Sequence, residues 1–266
     1  MLSVPPQKQN FLRNKMEHSY KNLRDMGGLT CSDESRIKSG MIFRSPVLDT
    51  KSADDIAFLN SLGLDMIIDF RSEDEIKERP DPEIKNCRYI SVPAFDGKKY
   101  KYIVVTKMGK VRCITLRGKR IGELKQNKID SYMEMPFSSA YNKIFEAMDE
   151  GKRFIFHCTE GKDRTGIAAA LIELVLGRDE NDIMKEYLLS NKHRPNKDRS
   201  WLKYIGCPKQ LIDDIAFCES THEELLNLSK KTVLQKYSSI DEYLEKEFNV
   251  TAERREKWRK IYLEKG

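Results

Sequence analysis

The residues best suited to chemistry lie together in the stretch HCTEGKDRTG, which occupies positions 157–166. It holds a cysteine, Cys158, and an arginine, Arg164, with five residues between them. The apolar run RFIF precedes the stretch, and the residues that follow, IAAALIELVL, have the composition of a buried helix. The pattern therefore predicts a strand, a short loop and a helix start, with Cys158 at the end of the strand.

A loop of this length between a strand and a helix can turn successive backbone N–H groups toward one centre, and such a nest binds tetrahedral anions. The positive end of the helix dipole points at the same centre. Arg164 can close around a bound phosphate with two parallel hydrogen bonds, which lysine cannot do. We therefore expect a phosphate-binding loop (residues 159–164, below the phosphate loop) made of Thr159, Glu160, Gly161, Lys162, Asp163 and Arg164.

A nucleotide-binding loop is a competing interpretation of the same glycine and lysine. Its pattern is G-x-x-x-x-G-K-[ST], but Phe156 stands at the first glycine position and Asp163 follows Lys162. That interpretation fails at both positions.

The positive field of the loop also acts on the thiol of Cys158. Cysteines at helix N-termini with cationic neighbours have a pKa of about 3.5–7.5, against about 8.5 for a free thiol. A thiolate beside a bound phosphate implies displacement at phosphorus, with a cysteinyl-phosphate that water then hydrolyses. This chemistry needs no metal or other cofactor, and the dispersed four histidines and six cysteines show no metal-ligand spacing.

Neighbouring residues take supporting roles by position. Thr165 can donate its hydroxyl to the sulfur and stabilise it as a leaving group, His157 is expected to hold the loop by hydrogen bonding, and Lys162 adds positive charge at the rim. Asp163 is a candidate general acid, provided that its pKa is raised enough to carry a proton. Asp69, at the end of another predicted strand, is the second candidate.

Short apolar runs bounded by turn residues predict four strands, at residues 41–44, 65–70, 88–92 and 153–157. Helical patterns alternate with them at residues 52–62 and 138–150, and then follow one another at residues 165–176, 180–190, 208–217, 222–237, 239–248 and 251–264. A polar stretch at residues 191–200 is expected to be a loop. The alternation predicts an α/β fold with a mainly parallel sheet, whose ligands lie beyond the carboxyl ends of the strands.

The segment 97–136 interrupts this alternation and carries the charge excess of the chain. From position 97 to 130 there are eleven Lys or Arg against two acidic residues, while the whole chain has a net charge of +6. We interpret the segment as a basic insertion, with a hairpin near residues 102–116, that is either a solvated flap or a lid steering anionic substrates and membrane headgroups. Nucleic-acid binding is disfavoured, because the segment matches no nucleic-acid-binding motif.

No apolar run is long enough to cross a bilayer, and the first residues, MLSVPPQKQNFLRNK, do not read as a secretion signal. A cytoplasmic location is therefore the default expectation. Export by a route that uses no cleaved signal stays open.

Several motifs together resemble a known family. HCTEGKDRTG is similar to the HCxxGKDRTG loop of the bacterial and fungal tyrosine-phosphatase-like proteins, which include atypical protein-tyrosine, dual-specificity and phosphoinositide phosphatases. In the same order as in that family come NLRDMGGL (22–29), GMIFRSPVL (40–48), LGLDMIIDFRSEDEIKERPD (62–81), EYLLSN (186–191) and the tail DEYLEKEFNVTAERREKWRKIYLE (241–264). The likeness covers about 60% of the chain.

The resemblance implies one phosphatase domain over residues 1–266: a short central, mainly parallel sheet flanked by helices, an inserted lid and a helical C-terminus. It implies Cys158 as nucleophile, Arg164 as phosphate clamp and Asp163 as proposed acid. His157, Asp69 and Arg44 are expected to support them. The implied substrates are phosphotyrosine, sometimes phosphoserine or phosphothreonine, and phosphoinositides.

Three functions remain open on the sequence. Phosphotyrosine hydrolysis is the first, and phosphoinositide hydrolysis, suggested by Lys162 and the basic insertion, is the second. Glu160 replaces an alanine frequent in the family loop and would disfavour heavily phosphorylated lipids if it faced the anion. A silent phosphate-binding module is the third, disfavoured because Cys158, Arg164 and Thr165 are all present.

Overall fold

A computed structural model of the chain describes residues 20–49, 52–95, 121–193, 198, 200–204 and 206–266. Within that part, the central sheet has the strand order β1-β3-β6-β4-β5, and a second pair joins β2 to β7. The strands are β1 (Arg24–Asp25), β2 (Arg36–Ile37), β3 (Ile42–Ser45), β4 (Met66–Asp69), β5 (Arg88–Ser91), β6 (Phe154–His157) and β7 (Leu263–Glu264).

All four predicted strands are confirmed, and the sheet is mainly parallel, as expected. Strands β3, β6, β4 and β5 run parallel, while β1 is antiparallel to β3. The register pairs His157 with Ser45 on one side and with Asp69 on the other. The segments that follow β3, β4 and β6 therefore leave the sheet at one edge, directly next to Cys158.

The helices of the described residues cover both faces of the sheet. They are α1 (Ala53–Ser61), α2 (Glu73–Glu78), α3 (Ile121–Glu134), α4 (Asn142–Asp149), α5 (Asp163–Leu176), α6 (Glu180–His193), α7 (Ser200–Tyr204), α8 (Lys209–Glu219), α9 (Glu223–Lys236), α10 (Ile240–Phe248) and α11 (Ala252–Tyr262). None of them, within the described ranges, has the length and apolar character that a membrane span requires.

Alternation along the strands divides the core into two layers. On one face, Phe43, Ile67 and Ile155 pack against Phe58 and Leu59 of α1. The opposite face carries larger rings and belongs to a second, more extensive cluster with α4, α5 and the C-terminal helices. Because both faces are covered, the strands read as continuous apolar runs in the sequence, as buried parallel strands do.

The C-terminal end closes the fold in a way that the sequence did not predict. The pattern at residues 251–264 predicts a helix throughout, but α11 ends at Tyr262 and Leu263–Glu264 pairs with β2 near the other end of the chain. Tyr262 is fully buried and its hydroxyl donates to the carbonyl of Lys152 at 2.8 Å. This contact between distant segments ends the helix, and no local signal encodes it.

Helix α3 is the largest departure from the sequence-based expectation. It occupies the last part of the supposed insertion, while the predicted hairpin near residues 102–116 and most of the predicted lid lie outside the described residues. The buried side of α3 is formed by Leu124, Lys128, Ser131 and Tyr132. Half of these positions are polar, so the apolar periodicity that reveals an amphipathic helix is missing. The short helix α2 was not predicted either.

The predicted loop at residues 191–200 begins later than expected. Its first three residues belong to α6, which ends at His193. Asn191 explains the extension, since its side-chain amide donates to the carbonyl of Thr221 at 2.9 Å and accepts from the N–H of Thr221 at 2.8 Å. A paired amide between distant segments holds the last turn in helical form.

Candidate active site

Contacts from the sheet side fix the backbone of the phosphate loop by its carbonyl oxygens. The N–H of Val47 donates to the carbonyl of Thr159 at 3.3 Å. The side-chain amide of Asn22 donates to the carbonyls of Glu160 at 3.2 Å and Gly161 at 2.8 Å. With these carbonyls held from outside, the loop backbone is oriented as an anion nest requires, with N–H groups on the inner side.

Arg44 lies beneath the loop and is fully buried. Its guanidinium donates to the carbonyl of Gly161 at 3.0 Å and to Glu186 at 2.6 Å. Glu186 also accepts from Arg24 at 2.7 Å, and Arg24 in turn donates to the Asn22 side chain at 2.5 Å. One buried carboxylate thus connects two arginines to the loop.

Gly161 cannot be replaced without moving the backbone. Its φ of +64° lies in the left-handed region. A Cβ atom at this position would lie 2.5 Å from the carbonyl oxygen of Ser45. The loop therefore packs directly against the end of β3, and both conformation and space demand glycine.

Cys158 lies at the bottom of this loop, immediately after β6. Its thiol is free and buried. Burial by itself would raise the pKa of Cys158, but the charge of Arg164, the hydroxyl and N–H of Thr165 and the N–H of Glu160 outweigh it and lower the pKa. The positive surroundings of the sulfur therefore favour its ionised form.

Arg164 is oriented by a carboxylate from α2. Its two terminal nitrogens donate to Glu75 at 2.7 and 2.8 Å, and one of them also donates to the carbonyl of Phe70 at 3.2 Å. Thr159 donates its hydroxyl to the same carboxylate. Burial would raise the pKa of Glu75, but Arg164 and these hydrogen bonds lower it to about 2. The guanidinium is thereby held in one position before any anion binds.

Asp163 is surrounded by donors from the helical side. Its carboxylate accepts from the Tyr132 hydroxyl at 2.6 Å and from Lys162 at 2.7 Å, and Lys128 lies 3.2 Å away. Burial would raise the pKa of Asp163, but the charges of Lys128 and Lys162 and both hydrogen bonds bring it far below the usual range. The condition set for Asp163 as general acid, a raised pKa, is therefore not met in this arrangement.

Lys162 does not lie at the rim of the site, contrary to the sequence-based expectation. The side chain is buried, and its ammonium donates to Asp163 and, at 2.6 Å, to the carbonyl of Cys218 at the end of α8. The exposed end of a helix C-terminus carries negative partial charge, which attracts such a cation. Tertiary contacts with α8, which the sequence does not reveal, turn the lysine away from the opening.

Asp69 is engaged in an ion pair rather than facing an open site. Both of its carboxylate oxygens accept from Arg71, at 2.7 to 3.0 Å, and Tyr89 donates its hydroxyl at 2.5 Å. Burial would raise the pKa of Asp69, yet His157, Arg71 and Tyr89 lower it. Like Asp163, this second candidate acid is ionised at neutral pH.

The ring of His157 meets carboxylates and not the phosphate loop, which corrects the expected role. Its Nε2 atom lies 3.0 Å from Asp81, and its Nδ1 atom lies 3.8 Å from Asp69. Burial would lower the pKa of His157, but these carboxylates raise it. The parallel register explains the contact, since His157 stands directly opposite Asp69 in the neighbouring strand.

Asp69, Asp81 and His157 are also spaced closely enough to hold a metal ion. Arg71, however, already lies 2.7 Å from Asp69 and 2.9 Å from Asp81. A metal ion would have to displace a buried guanidinium from both carboxylates. We therefore interpret the group as a charge-balanced structural cluster beneath the nucleophile.

Sequence reasoning missed several residues that contact the loop. Glu75 had a signal, since it stands three residues after Ser72 in a helix-capping pattern that the structure contains. Asn22 and Glu186 lie within the motifs NLRD and EYLLSN but carried no individual role. Lys128 and Tyr132 had no signal, because nothing in a basic, irregular segment distinguishes a buried lysine from an exposed one.

Comparisons with known proteins relate this chain to phosphatases. A family model described as "Tyrosine phosphatase family" matches residues 17–264. A protein of Cupriavidus necator whose name describes a tyrosine-protein phosphatase is 27% identical over 228 residues, or 84% of this chain and 80% of that protein. The triple specificity protein phosphatase PtpB of Mycobacterium tuberculosis is 25% identical over 191 residues, or 65% of this chain and 68% of PtpB. The crystal structure of P. aeruginosa TpbA aligns with 74% of this chain and 89% of its own, at 16% identity and a TM-score of 0.32.

Proposed function

This chain belongs to the tyrosine phosphatase family and is a phosphatase, and we propose that it hydrolyses phosphotyrosine through a phosphorylated Cys158. One observation carries the proposal: the buried Cys158 thiol lies directly beneath a loop whose carbonyls are turned outward, where the charge of Arg164 lowers the pKa of the thiol. A sulfur anion and a phosphate-binding cradle then occupy the same place.

In the first step the thiolate attacks phosphorus and the bond to the ester oxygen breaks, which leaves a cysteinyl-phosphate. The loop N–H groups and Arg164 stabilise the charge on the transferring phosphoryl oxygens. In the second step water attacks phosphorus, the sulfur leaves, and the hydroxyl of Thr165 stabilises the thiolate as it forms. Asp163 is the carboxylate of the loop itself, and we assign it the transfer of protons to the ester oxygen and from water; because its own pKa is lowered, the proton for the ester oxygen must reach it from a neighbouring group.

Two contacts support an aryl phosphate as substrate. The ring of Phe95 lies 5.1 Å from the guanidinium carbon of Arg164, which provides an aromatic surface beside the phosphate position. Lys162, which suggested phosphoinositides, is occupied by Asp163 and the carbonyl of Cys218. The remaining argument for phosphoinositides is the basic insertion, most of which lies outside the described residues.

The decisive experiment combines hydrolysis of p-nitrophenyl phosphate with trapping of the intermediate. The wild type is expected to hydrolyse the ester and, on rapid acid quench, to carry one phosphoryl group on the peptide that contains Cys158. Cys158→Ser should abolish turnover, and Arg164→Lys should reduce it strongly because a lysine keeps the charge but loses the paired donors. Cys31→Ser, a buried thiol elsewhere in the fold, is the matched control and should retain activity.

A comparison of substrates tests the specificity. We expect kcat/KM for a phosphotyrosine peptide to exceed that for the same peptide with phosphoserine and that for short-chain phosphoinositides. A preference for phosphoinositides would contradict the proposed substrate but keep the chemistry. A protein that binds phosphotyrosine without hydrolysing any ester would be the silent module, and the proposal would be wrong.

A further inference from the structure

The ester oxygen needs a proton as the sulfur displaces it, and both carboxyls at the site have a lowered pKa. A carboxylate that has no proton of its own can still transfer one, if a neighbouring acid supplies it. The groups behind Asp163 therefore decide whether protonated alcohol or free alkoxide leaves the site.

Lys128 is the buried ammonium behind Asp163. It lies 3.2 Å from the carboxylate oxygen and belongs to α3, outside the phosphate loop. The side chain of Lys128 is 1% exposed, whereas that of Asp163 is 18% exposed and keeps an edge open toward the solvent side. Lys128 is thus the more deeply buried member of the pair, and Asp163 is the member that solvent reaches.

We propose that Lys128 is a positioning residue of the reaction, which acts through Asp163 by supplying the proton that this carboxylate passes to the leaving group. The proposal rests on the proposed function of Cys158. The ammonium gives a proton to the carboxylate, and the carboxyl gives it to the ester oxygen as the phosphorus–oxygen bond breaks. In the second step the attacking water loses a proton to Asp163, which returns it to the neutral amine, so no external acid is consumed.

Burial favours release of the Lys128 proton near neutral pH, whereas the hydrogen bonds of its ammonium stabilise the charged form. Its ammonium donates to the carbonyls of Ser220 at 2.6 Å and Cys218 at 3.1 Å. The titratable groups that face it are Asp163 and Lys162 of the loop, the Cys218 thiol of α8 and His222 ahead of α9. Burial lowers the pKa of Lys128 to about 7, because Asp163 only partly offsets the burial and Lys162 opposes it.

Tyr132 is the other donor from α3, and it is less suited to the task. It donates to Asp163 and shares a 2.6 Å contact with the hydroxyl of Tyr187. Burial and the neighbouring Asp163 raise the pKa of Tyr132 well above its usual value. It therefore orients the carboxylate, while the proton comes from Lys128. A phosphate dianion against the loop raises the pKa of Asp163, which favours that transfer.

The test uses leaving groups of different basicity. Phenyl phosphate needs protonation of its leaving oxygen, whereas p-nitrophenyl phosphate has a stable leaving anion and needs it less. Lys128→Met should lower kcat/KM for phenyl phosphate by about 100-fold, the lower end of the range for general acid catalysis, and change that for p-nitrophenyl phosphate several-fold less. Lys125→Met, an exposed lysine one turn earlier on α3, is the control and should leave both values unchanged.

Lys128→Arg separates proton supply from positive charge. Arginine keeps the charge next to Asp163 but does not release a proton in this pH range. We expect the same selective loss on phenyl phosphate, and we expect the fall of wild-type kcat/KM above about pH 7 to be absent from both variants. An equal loss on both esters, wild-type activity of Lys128→Arg on phenyl phosphate, or an unchanged basic limb would each overturn the role of Lys128.

The wild type distinguishes this proposal from the broader one. Hydrolysis of p-nitrophenyl phosphate that depends on Cys158, together with unaltered leaving-group dependence in the Lys128 variants, would refute the proton supply and leave the phosphatase mechanism intact. Absence of such hydrolysis in the wild type would refute the mechanism, and the role of Lys128 with it.

Discussion

The two sides of the phosphate loop are held by different chemistry. On the sheet side, Asn22, Arg44 and Glu75 bind the loop carbonyls and Arg164, and their contacts are complete before substrate arrives. On the helical side, Lys128 and Tyr132 contact the carboxylate of Asp163. The first set fixes where atoms lie, and the second set controls the ionisation of one group.

This difference shows that, around one short loop, one set of residues can position the anion site while another set controls proton transfer. The anion cradle needs rigid donors, so it depends on strands and on a buried ion pair whose charges are balanced. Proton transfer needs a group near its own pKa, so it depends on burial of a cation with incomplete compensation. Variants on the two sides should therefore fail in different ways.

The largest expected effect is that of Glu75→Ala on the sheet side. It leaves the Arg164 guanidinium buried without its partner, and removal of one member of a buried pair costs about 3–5 kcal/mol. Urea unfolding should show this loss, with kcat/KM reduced for p-nitrophenyl and phenyl phosphate alike. Glu75→Gln, which keeps an acceptor for Ser72, should lose less stability, and a selective loss on phenyl phosphate would contradict the division between the two sides.

Acid should weaken the sheet side through the same residue. Folding lowers the pKa of Glu75 from 4.5 to about 2. The stability that ionised Glu75 adds to the fold is therefore fully present above about pH 4.5. It is lost as the pH falls toward about 2, by up to about 3 kcal/mol in the free energy of unfolding. The free energy of unfolding of wild type and Glu75→Gln, measured between about pH 6 and pH 3, should converge as the pH falls. Parallel curves would show that Glu75 does not titrate this way.

A smaller effect is expected for Tyr132→Phe on the helical side. It removes the hydrogen bond to the ionised Asp163, worth about 2 kcal/mol, together with the contact to the Tyr187 hydroxyl, and leaves Lys128 in place. Chemical denaturation should show that loss, and the basic limb of the pH profile should remain because the proton source is unchanged. Disappearance of the limb in Tyr132→Phe would assign the proton to the tyrosine instead.

The smallest effect should come from an ion pair remote from both sides. Lys143 and Glu146 pair at 2.7 Å on the surface of α4, with both side chains well exposed. Helix-surface pairs three or four residues apart contribute about 0.2–0.5 kcal/mol. Lys143→Ala should therefore change the urea midpoint barely at all and leave kcat/KM unchanged. If Lys143→Ala lost as much stability and kcat/KM as Glu75→Ala, general destabilisation of the fold would explain the effect of both variants.

The sequence by itself determined the four parallel strands of the central sheet and the position of the nucleophile. Strand composition is a local property, so the apolar runs ending at Arg44, Phe70 and His157 could be read directly, and the motif from Cys158 to Arg164 placed the loop at the carboxyl edge. The same reading gave candidate roles to Asp163 and Lys162 from their types alone. Types, however, do not determine which way a side chain turns.

Only the tertiary structure decided what surrounds the loop. Helix α3 has a half-polar buried face, so its sequence does not predict that Lys128 and Tyr132 contact Asp163. Nor does the sequence predict that Glu75, from another segment, pairs with Arg164. The physical reason is that ionisation depends on desolvation and on charges within a few ångströms, and both arise when segments distant in sequence pack together. The local sequence therefore specifies the reacting sulfur, whereas the packing of distant segments specifies which groups of the site are ionised.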